Sequence, residues 1–364
     1  MPYLKQAEER LARLRARMAE TGTDLVVLGP SSHMVWLTGL SPHGDERPVM
    51  LLVSADHAGF LMPALNAAMA TEATPLPLYK WSDDEGPEAA LAALLKDCDA
   101  LRPGLSVVLD ETMRADFALR LLDALDSPRR RFSEDTVGLL RTRKDEGEAA
   151  RIKAAHLLND AAVEAAFAAL KPGMTEAEVV ELIGAHYKAN GATTAFCSVC
   201  FGGNGAFPHH HPGAAALGEN MAVLIDTGCV LDGYPSDMTR CRWFGPDPDP
   251  EFLKVRDLVE AAVQAALAAA KPGARARDVD AAARDVITAG GYGARFLHRT
   301  GHGLGIDIHE EPYITGTSDR VLELGNVFSI EPGIYLDGKF GLRLEEIVIL
   351  REDGAEVFSE LPRV

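Results

Sequence analysis

Apolar residues recur three and four apart at Leu4, Ala7, Leu11, Leu14 and Met18, with Glu, Arg and Lys between them. That spacing lays one apolar stripe along a helix, which Gly22 ends. Short apolar runs follow at 24–28, 50–54 and 106–110, the length of buried strands. Helical patterns fall between them, around 87–96 and 115–125. Strands alternating with helices predict an α/β domain over residues 1–136. Charge then crowds into 139–148, LLRTRKDEGE, and residues 137–144 are expected to link this domain to a second one over 145–364. There a long Ala-rich helix runs to Leu170 and stops at Lys171-Pro172-Gly173. Thr175-x-x-Glu178 is a capping box that opens the next helix.

The second domain repeats itself. AAFAALKPG at 165–173 matches AALAAAKPG at 265–273, an offset of 100 that also pairs Gly191 with Gly291, Phe196 with Phe296, Gly205 with Gly305 and His209 with His309. After a five-residue slip, IDTGCVLDG at 225–233 matches IEPGIYLDG at 330–338. A duplicated helix-helix-strand-hairpin unit implies two pseudo-symmetric halves whose sheets meet.

The repeat changes the meaning of an awkward carboxylate. The apolar run 222–225 reads as a buried strand, and Asp226 follows it directly. A turn at 233–236 and a returning strand then bring Asp237. Carboxylates brought close together repel unless a cation or shared proton relieves them. Asp226 has its counterpart in Glu331, and the second hairpin returns with Glu345 in GLRLEE. Strand alternation sends Glu345 and Glu346 to opposite faces and sets Arg343 on the face of Glu345. A neutral donor, His302, comes from HRTGHGLG, with glycine on both sides for close approach. Four acids and an imidazole at one place call for two divalent cations, a device that generates a nucleophile at neutral pH.

Composition narrows the rest. The chain has 364 residues, room for two domains, and a hydrophobic content of 47% that can fill a core. A net charge of −18 argues against nucleic acid and against an anionic membrane as partners, and supplies acids for hard cations. Five cysteines do not suggest a disulfide framework, and Cys197-x-x-Cys200 inside an apolar string reads as buried strand thiols. His33, His43 and His57 stand alone and read as loop or surface residues. Residues 1–20 read as a charged helix rather than a signal peptide, and no apolar run approaches 18 residues. The expectation is a cytoplasmic protein with no membrane partner.

IDTG with Asp226, SDMTR with Asp237, HGLG with His302, SIEPG with Glu331 and LRLEE with Glu345 occur in one order. Over about residues 140–358 the chain resembles the pita-bread metallopeptidases: methionine aminopeptidase, aminopeptidase P and Xaa-Pro dipeptidase. Residues 1–136, with Trp36-Leu37-Thr38-Gly39-Leu40, resemble the creatinase-type N-terminal domain of the last two. The implied fold class is α+β: a pita-bread C-terminal domain with pseudo-twofold duplicated halves, preceded by a smaller α/β creatinase-like domain. The resemblance implies that Asp237 and Glu345 bridge two metal ions, that Asp226 completes one, and that His302 and Glu331 complete the other. It implies Glu331 as the acid/base, His209 and His309 as groups that steady the tetrahedral intermediate, and His298, Arg343 and Tyr335 on the substrate side, where a product-side carboxylate is held. It also implies a homodimer, with His43 in a loop lent to the partner's site. His210 and His211 read as bland neighbours. Arg240-Cys241-Arg242 departs from the family, which usually has Thr after the Arg. The expected activity is hydrolysis of the bond before proline in an Xaa-Pro dipeptide, with manganese as first choice and zinc or cobalt as alternatives. The rivals are aminopeptidase P acting on longer peptides, a creatinase-like non-peptidase hydrolase, and a non-catalytic peptide-binding module.

Overall fold

The computed structural model describes residues 2–207 and 210–364, with side chains from residue 6 onward. Two compact units divide it, Met1–Arg141 and Thr142–Val364.

The first unit opens with helix α1 (Pro2–Thr21). Leu14 and Met18 of its stripe are buried; the side chain of Leu4 lies outside the described residues. Strand β1 (Leu25–Leu28), helix α2 (Ser32–Thr38), strands β2 (Met50–Val53) and β3 (Ala58–Pro63), helix α3 (Ala67–Ala73), strand β4 (Leu78–Trp81), helix α4 (Glu88–Asp97), strand β5 (Ser106–Leu109), helix α5 (Ala115–Asp123) and strand β6 (Arg129–Phe132) follow. They build one mixed six-stranded sheet in the order β4-β3-β2-β1-β5-β6. Leu25, Val27, Leu52, Leu61 and Val107 pack from it against Leu94 and Leu95 of α4 and Phe117 and Leu121 of α5.

The division between the two units, after Arg141, falls within the segment 137–144. Most of it is helix α6 (Val137–Thr142). Its charges are engaged rather than solvated. Arg141 donates to His33 Nδ1 at 3.0 Å, and Lys144 Nζ, only 1% exposed, pairs with Glu310 Oε1 at 2.6 Å. The same charged run also caps the next helix, through a capping box between Asp145 and Glu148.

The second unit runs through helices α7 (Glu146–Ala169) and α8 (Glu176–Ala189), then strands β7 (Thr193–Phe201), β8 (Met221–Leu231), β9 (Tyr234–Pro235) and β10 (Met238–Phe244). Helices α9 (Pro250–Ala269) and α10 (Ala276–Ala289) repeat α7 and α8, with α8 and α10 offset by exactly the interval of the sequence repeat. The capping box of Thr175 is not copied, since Arg275 caps nothing through its side chain. Strands β11 (Gly301–Gly303), β12 (Glu310–Ile314), β13 (Val327–Ile330), β14 (Gly333–Leu336), β15 (Phe340–Arg343), β16 (Glu346–Arg351) and β17 (Gly354–Val357) complete it. The first half pairs β10-β8-β7, and the second pairs β12-β11-β13-β16-β17. Each helix pair covers its own sheet. Val163, Val179 and Ile183 pack on Val223 and Ile225, whereas Val259, Val263 and Val279 pack on Phe328, Ile330 and Val348. Among the described residues, no helix is long and apolar enough to cross a membrane.

Candidate metal centre

Two hairpins set the carboxylates. The first runs from β8 through Asp232 (φ 49°) and Gly233 (φ 80°) into β9 and β10. Positive φ at both central residues makes the tight two-residue turn that suits strand twist. Asp226 lies inside β8, not beyond its end, because the strand continues to Leu231. It pairs with Thr239, and the same register sets Asp237 across from Gly228. Asp226 and Asp237 are therefore diagonal neighbours on one face. A Cβ on Gly228 would meet Ser236 O at 2.1 Å, so only glycine admits the returning strand this closely.

The second hairpin keeps one register from Ile330↔Glu346 to Gly333↔Arg343, which sets Glu331 across from Glu345. Its loop, Asp337 to Lys339, is one residue longer than that of the first hairpin. The two hairpins meet at Thr239 and Glu345. Glu345 N donates to Thr239 O at 3.1 Å, and Thr239 Oγ1 donates to Glu345 Oε2 at 2.8 Å. Glu346 points away and pairs with the buried Arg240 at 3.0 Å, as strand alternation requires.

His302 sits on β11, its neighbours Gly301 and Gly303 pressed against Ser329 O and Glu311 O so closely that no Cβ would fit. Its Nδ1 donates to Gly303 O at 3.1 Å. That leaves the Nε2 lone pair facing Asp237 Oδ2 at 3.5 Å and Glu331 Oε1 at 3.4 Å. Burial, helped by His309, pushes its pKa down to about 3, so the ring is neutral. His309 stacks edge-on against it, with centroids 4.1 Å apart.

Among the described residues of the second unit, three sets of three have ligand atoms that all lie within 4.8 Å of one another: Asp226 with Asp237 and Glu345, His302 with Glu331 and Glu345, and Asp237 with His302 and His309. They overlap into one cluster on a cavity of about 670 Å³. Burial, then the charges of Glu345, Asp226 and Glu331, push the Asp237 carboxyl well above its usual range. Burial and the same neighbours do so for Glu345. Glu331 rises to about 7, mainly through burial, with Arg343 opposing and Asp226 adding to the shift. Glu345 Oε1 is buried with no hydrogen-bond partner among the described residues. Four acids with one guanidinium, that of Arg343, bonded among them, an orphaned buried carboxylate oxygen and a neutral imidazole nitrogen aimed among them form a donor set that fits divalent cations.

Arg343 is buried among these acids, and each of its three guanidinium nitrogens donates to a partner. It donates from Nε to Thr239 Oγ1 at 2.8 Å, from one amino group to Tyr335 Oη at 2.9 Å, and from the other to Asp226. Tyr335 Oη lies 2.8 Å from His298 Nε2. His298 and Arg343 thus line the cavity, with Tyr335 behind them. His209 lies outside the described residues. His43 is an exposed loop residue of the first unit. Cys197 and Cys200 sit on β7, where burial pushes both thiols up to about 11.

Sequence reasoning missed several supports. His156, fully buried on α7, accepts the backbone N–H of Asp237 at 3.2 Å. Glu176, fully buried at the start of α8, binds Phe201 N, Asn204, His210 and Gly213 N and so holds the 201–213 loop. His210 is therefore an anchor of that loop. Asp280 and Arg284 on α10 fix the backbone around His298 and Thr300. In the first unit, His33, Asp110 and Glu111 also cluster. Their polar atoms already serve Arg141, Gly29 N, Thr112 and Ser133.

Duplicated helix-pair-and-hairpin halves, with acids pooled where the hairpins meet, define the pita-bread class of α+β fold. The model of metallopeptidase family M24 matches residues 150–352, and that of the creatinase/prolidase N-terminal domain matches residues 10–133. The probable dipeptidase PepE of Mycobacterium tuberculosis is 35% identical over 360 residues, 97% of this chain and 94% of that one. The Xaa-Pro dipeptidase of Lactobacillus delbrueckii is 33% identical, covering 96% of each. A crystal structure of prolidase from Thermococcus sibiricus superposes with a TM-score of 0.90 at 34% identity, covering 98% of this chain and 97% of that one. The chain belongs to metallopeptidase family M24, whose members depend on divalent metal ions.

Proposed function

We propose that this protein is an Xaa-Pro dipeptidase in which Asp226, Asp237, His302, Glu331 and Glu345 hold two divalent cations. The observation that carries the reading is the convergence of these five side chains, Glu345 Oε1 unpartnered among them, on one cavity of a dipeptide-compatible size. The dipeptidase and prolidase relatives support the substrate class. Manganese is the first choice for so carboxylate-rich a set, with zinc or cobalt as alternatives. A homodimer belongs to the same reading, and light scattering checks it.

Bound cations would polarise the scissile carbonyl and make water a nucleophile near neutral pH. Glu331, the ligand-set acid best placed to exchange protons, takes the proton from that water and delivers it to the departing proline nitrogen. Ser329 Oγ, 3.3 Å from Glu331 Oε1, orients it. His309, beside His302 on the cavity wall, supplies an N–H to the developing oxyanion. The bond before proline is a tertiary amide with no N–H, so the site needs no acceptor for one. Assay of the metal-loaded protein on Ala-Pro and Ala-Pro-Ala tests the reading. Faster turnover of Ala-Pro is expected; faster turnover of the tripeptide overturns the dipeptidase assignment.

A further inference from the structure

Two guanidinium groups line the cavity, and they are not equivalent. Arg343 is buried, and its donors go to Thr239, Tyr335 and Asp226. Arg299 is half-buried. Among the described residues its guanidinium meets neither a carboxylate nor a hydrogen-bond acceptor, and it lies over the Tyr313 ring at 4.6 Å. A guanidinium carries five N–H donors in a planar fork, and here the aromatic face holds that plane while leaving the donors open.

The placement is built. Arg284 donates to Phe296 O at 3.3 Å and His298 O at 3.0 Å, ahead of Arg299 in the chain. Asp280 accepts Thr300 N at 3.2 Å and Thr300 Oγ1 at 2.8 Å, directly after it. The Asp280–Arg284 ion pair ties both anchors together at 2.8 Å. The backbone is thus held on both sides of an arginine whose guanidinium, among the described residues, has an aromatic face beside it but no hydrogen-bond acceptor.

The other charges on the wall are Asp226, Asp237, Glu331 and Glu345, with Arg343 already committed. Beside the cations that the acids would hold, an anionic group entering with the substrate finds one guanidinium among the described residues with its donors open. We infer that Arg299 binds the C-terminal carboxylate of the dipeptide, by a charge-assisted, fork-on-fork contact, and so sets the preference for dipeptides over longer or amidated chains. This replaces the expectation that Arg343 takes that group. It rests on the peptidase reading above and adds to it a reason for the length limit.

The test compares Ala-Pro with Ala-Pro-NH2, and Ala-Leu with Ala-Leu-NH2, on metal-loaded wild type, Arg299→Gln and Arg299→Lys. Wild type is expected to favour the free acid in kcat/KM. Arg299→Gln is expected to cut that acid-to-amide ratio roughly 10- to 100-fold, mostly through KM, the scale of a lost charge-assisted bond. Arg299→Lys keeps the charge and recovers part of the ratio. A ratio unchanged in Arg299→Gln, or acid and amide falling equally, overturns the inference. If wild type cleaves Ala-Leu but not Ala-Pro, proline specificity fails, and the Leu pair still judges Arg299. If no peptide turns over, the peptidase reading fails. Calorimetric titration with L-proline and L-prolinamide then decides, with equal binding of L-proline by wild type and Arg299→Gln counting against the inference.

Discussion

Glu331→Gln should stabilise the metal-stripped protein at alkaline pH and destabilise the metal-loaded one. Burial and the charge of Asp226, opposed by Arg343, lift the Glu331 carboxyl from an ordinary 4.5 to about 7. A raised carboxyl means that the folded chain binds more protons than the unfolded one between these two values, so stability falls as pH rises across the window. The cost is absent below about pH 4.5 and complete above about pH 7; at about 1.4 kcal/mol per unit it reaches ~3 kcal/mol. His302, pushed down to about 3, and His298, pushed down to about 4, act with the opposite sign below pH 6.5, where only the unfolded chain gains their protons. A raw pH profile mixes these effects. Subtracting the glutamine variant cancels the histidines, which are common to both proteins, and leaves Glu331 together with its repulsion of Asp237 and Glu345.

Thermal melts in chelator at pH 5 and pH 8 measure the difference. The variant's advantage should grow from pH 5 to pH 8 by up to ~3 kcal/mol, about 6–12 °C in Tm for a domain of this size. Excess divalent metal should reverse the order, since wild type alone then gains binding energy from a complete ligand set. An advantage that does not grow with pH, or an order that metal leaves unchanged, refutes the picture of carboxylates held together against their own repulsion.

Asp237→Ala removes an acid shared by two of the overlapping ligand sets. It should abolish stoichiometric metal by elemental analysis and lower kcat/KM by more than about 100-fold, a loss that support residues alone can approach; unchanged hydrolysis refutes the site. Thr239→Val leaves Glu345 Oε2 and Arg343 Nε without the hydroxyl that joins them at 2.8 Å on each side. A metal-binding titration should show affinity weakened about 10- to 100-fold while the fold persists, and wild-type affinity would show that the hydroxyl positions nothing. Gly228→Ala drives a Cβ into Ser236 O and the Phe196 ring. Chemical denaturation should give a loss of more than about 1–3 kcal/mol, the usual cost of overpacking, and wild-type stability would contradict the register that opposes Gly228 to Asp237.

The sequence exposed what is periodic or duplicated and hid what acts across the fold. Helices α1, α4 and α5 of the first unit, the capping box at Thr175, the paired hairpins and the opposite facing of Glu345 and Glu346 all follow from local spacing, whereas the short helices α2 and α3 do not. His156, Glu176 and the Asp280–Arg284 pair look like ordinary polar positions on Ala-rich helices. Their partners lie 81, 25 and 20 residues away for Asp237 N, Phe201 N and Thr300, and no local pattern announces such contacts. The contacts of the 137–144 segment were hidden for a related reason: nothing local to a run of charge names His33 and Glu310 as its partners.

The mismatch between the two returning strands has a definite cause, and it explains why the site is asymmetric. On the outgoing strands Asp226 and Glu331 correspond. The extra residue in the Asp337–Lys339 loop shifts the correspondence on the way back, so that Asp237 matches Arg343 and Thr239 matches Glu345. Each hairpin thus brings one acid on its outgoing strand and one on its return, but at return positions two residues apart. Where the first hairpin has its second acid, the second has a guanidinium; where the second has its acid, the first has a hydroxyl. Those two substitutes bond to each other and to the acids, Arg343 Nε to Thr239 Oγ1 and Thr239 Oγ1 to Glu345 Oε2. A strictly symmetric duplication would place four acids at the seam with either no guanidinium, from two copies of the first hairpin, or two, from two copies of the second. The offset leaves four acids, one guanidinium to restrain Asp226, and one hydroxyl to orient Glu345. That is enough negative charge to need metal ions and enough hydrogen bonding to hold the donors in place for them.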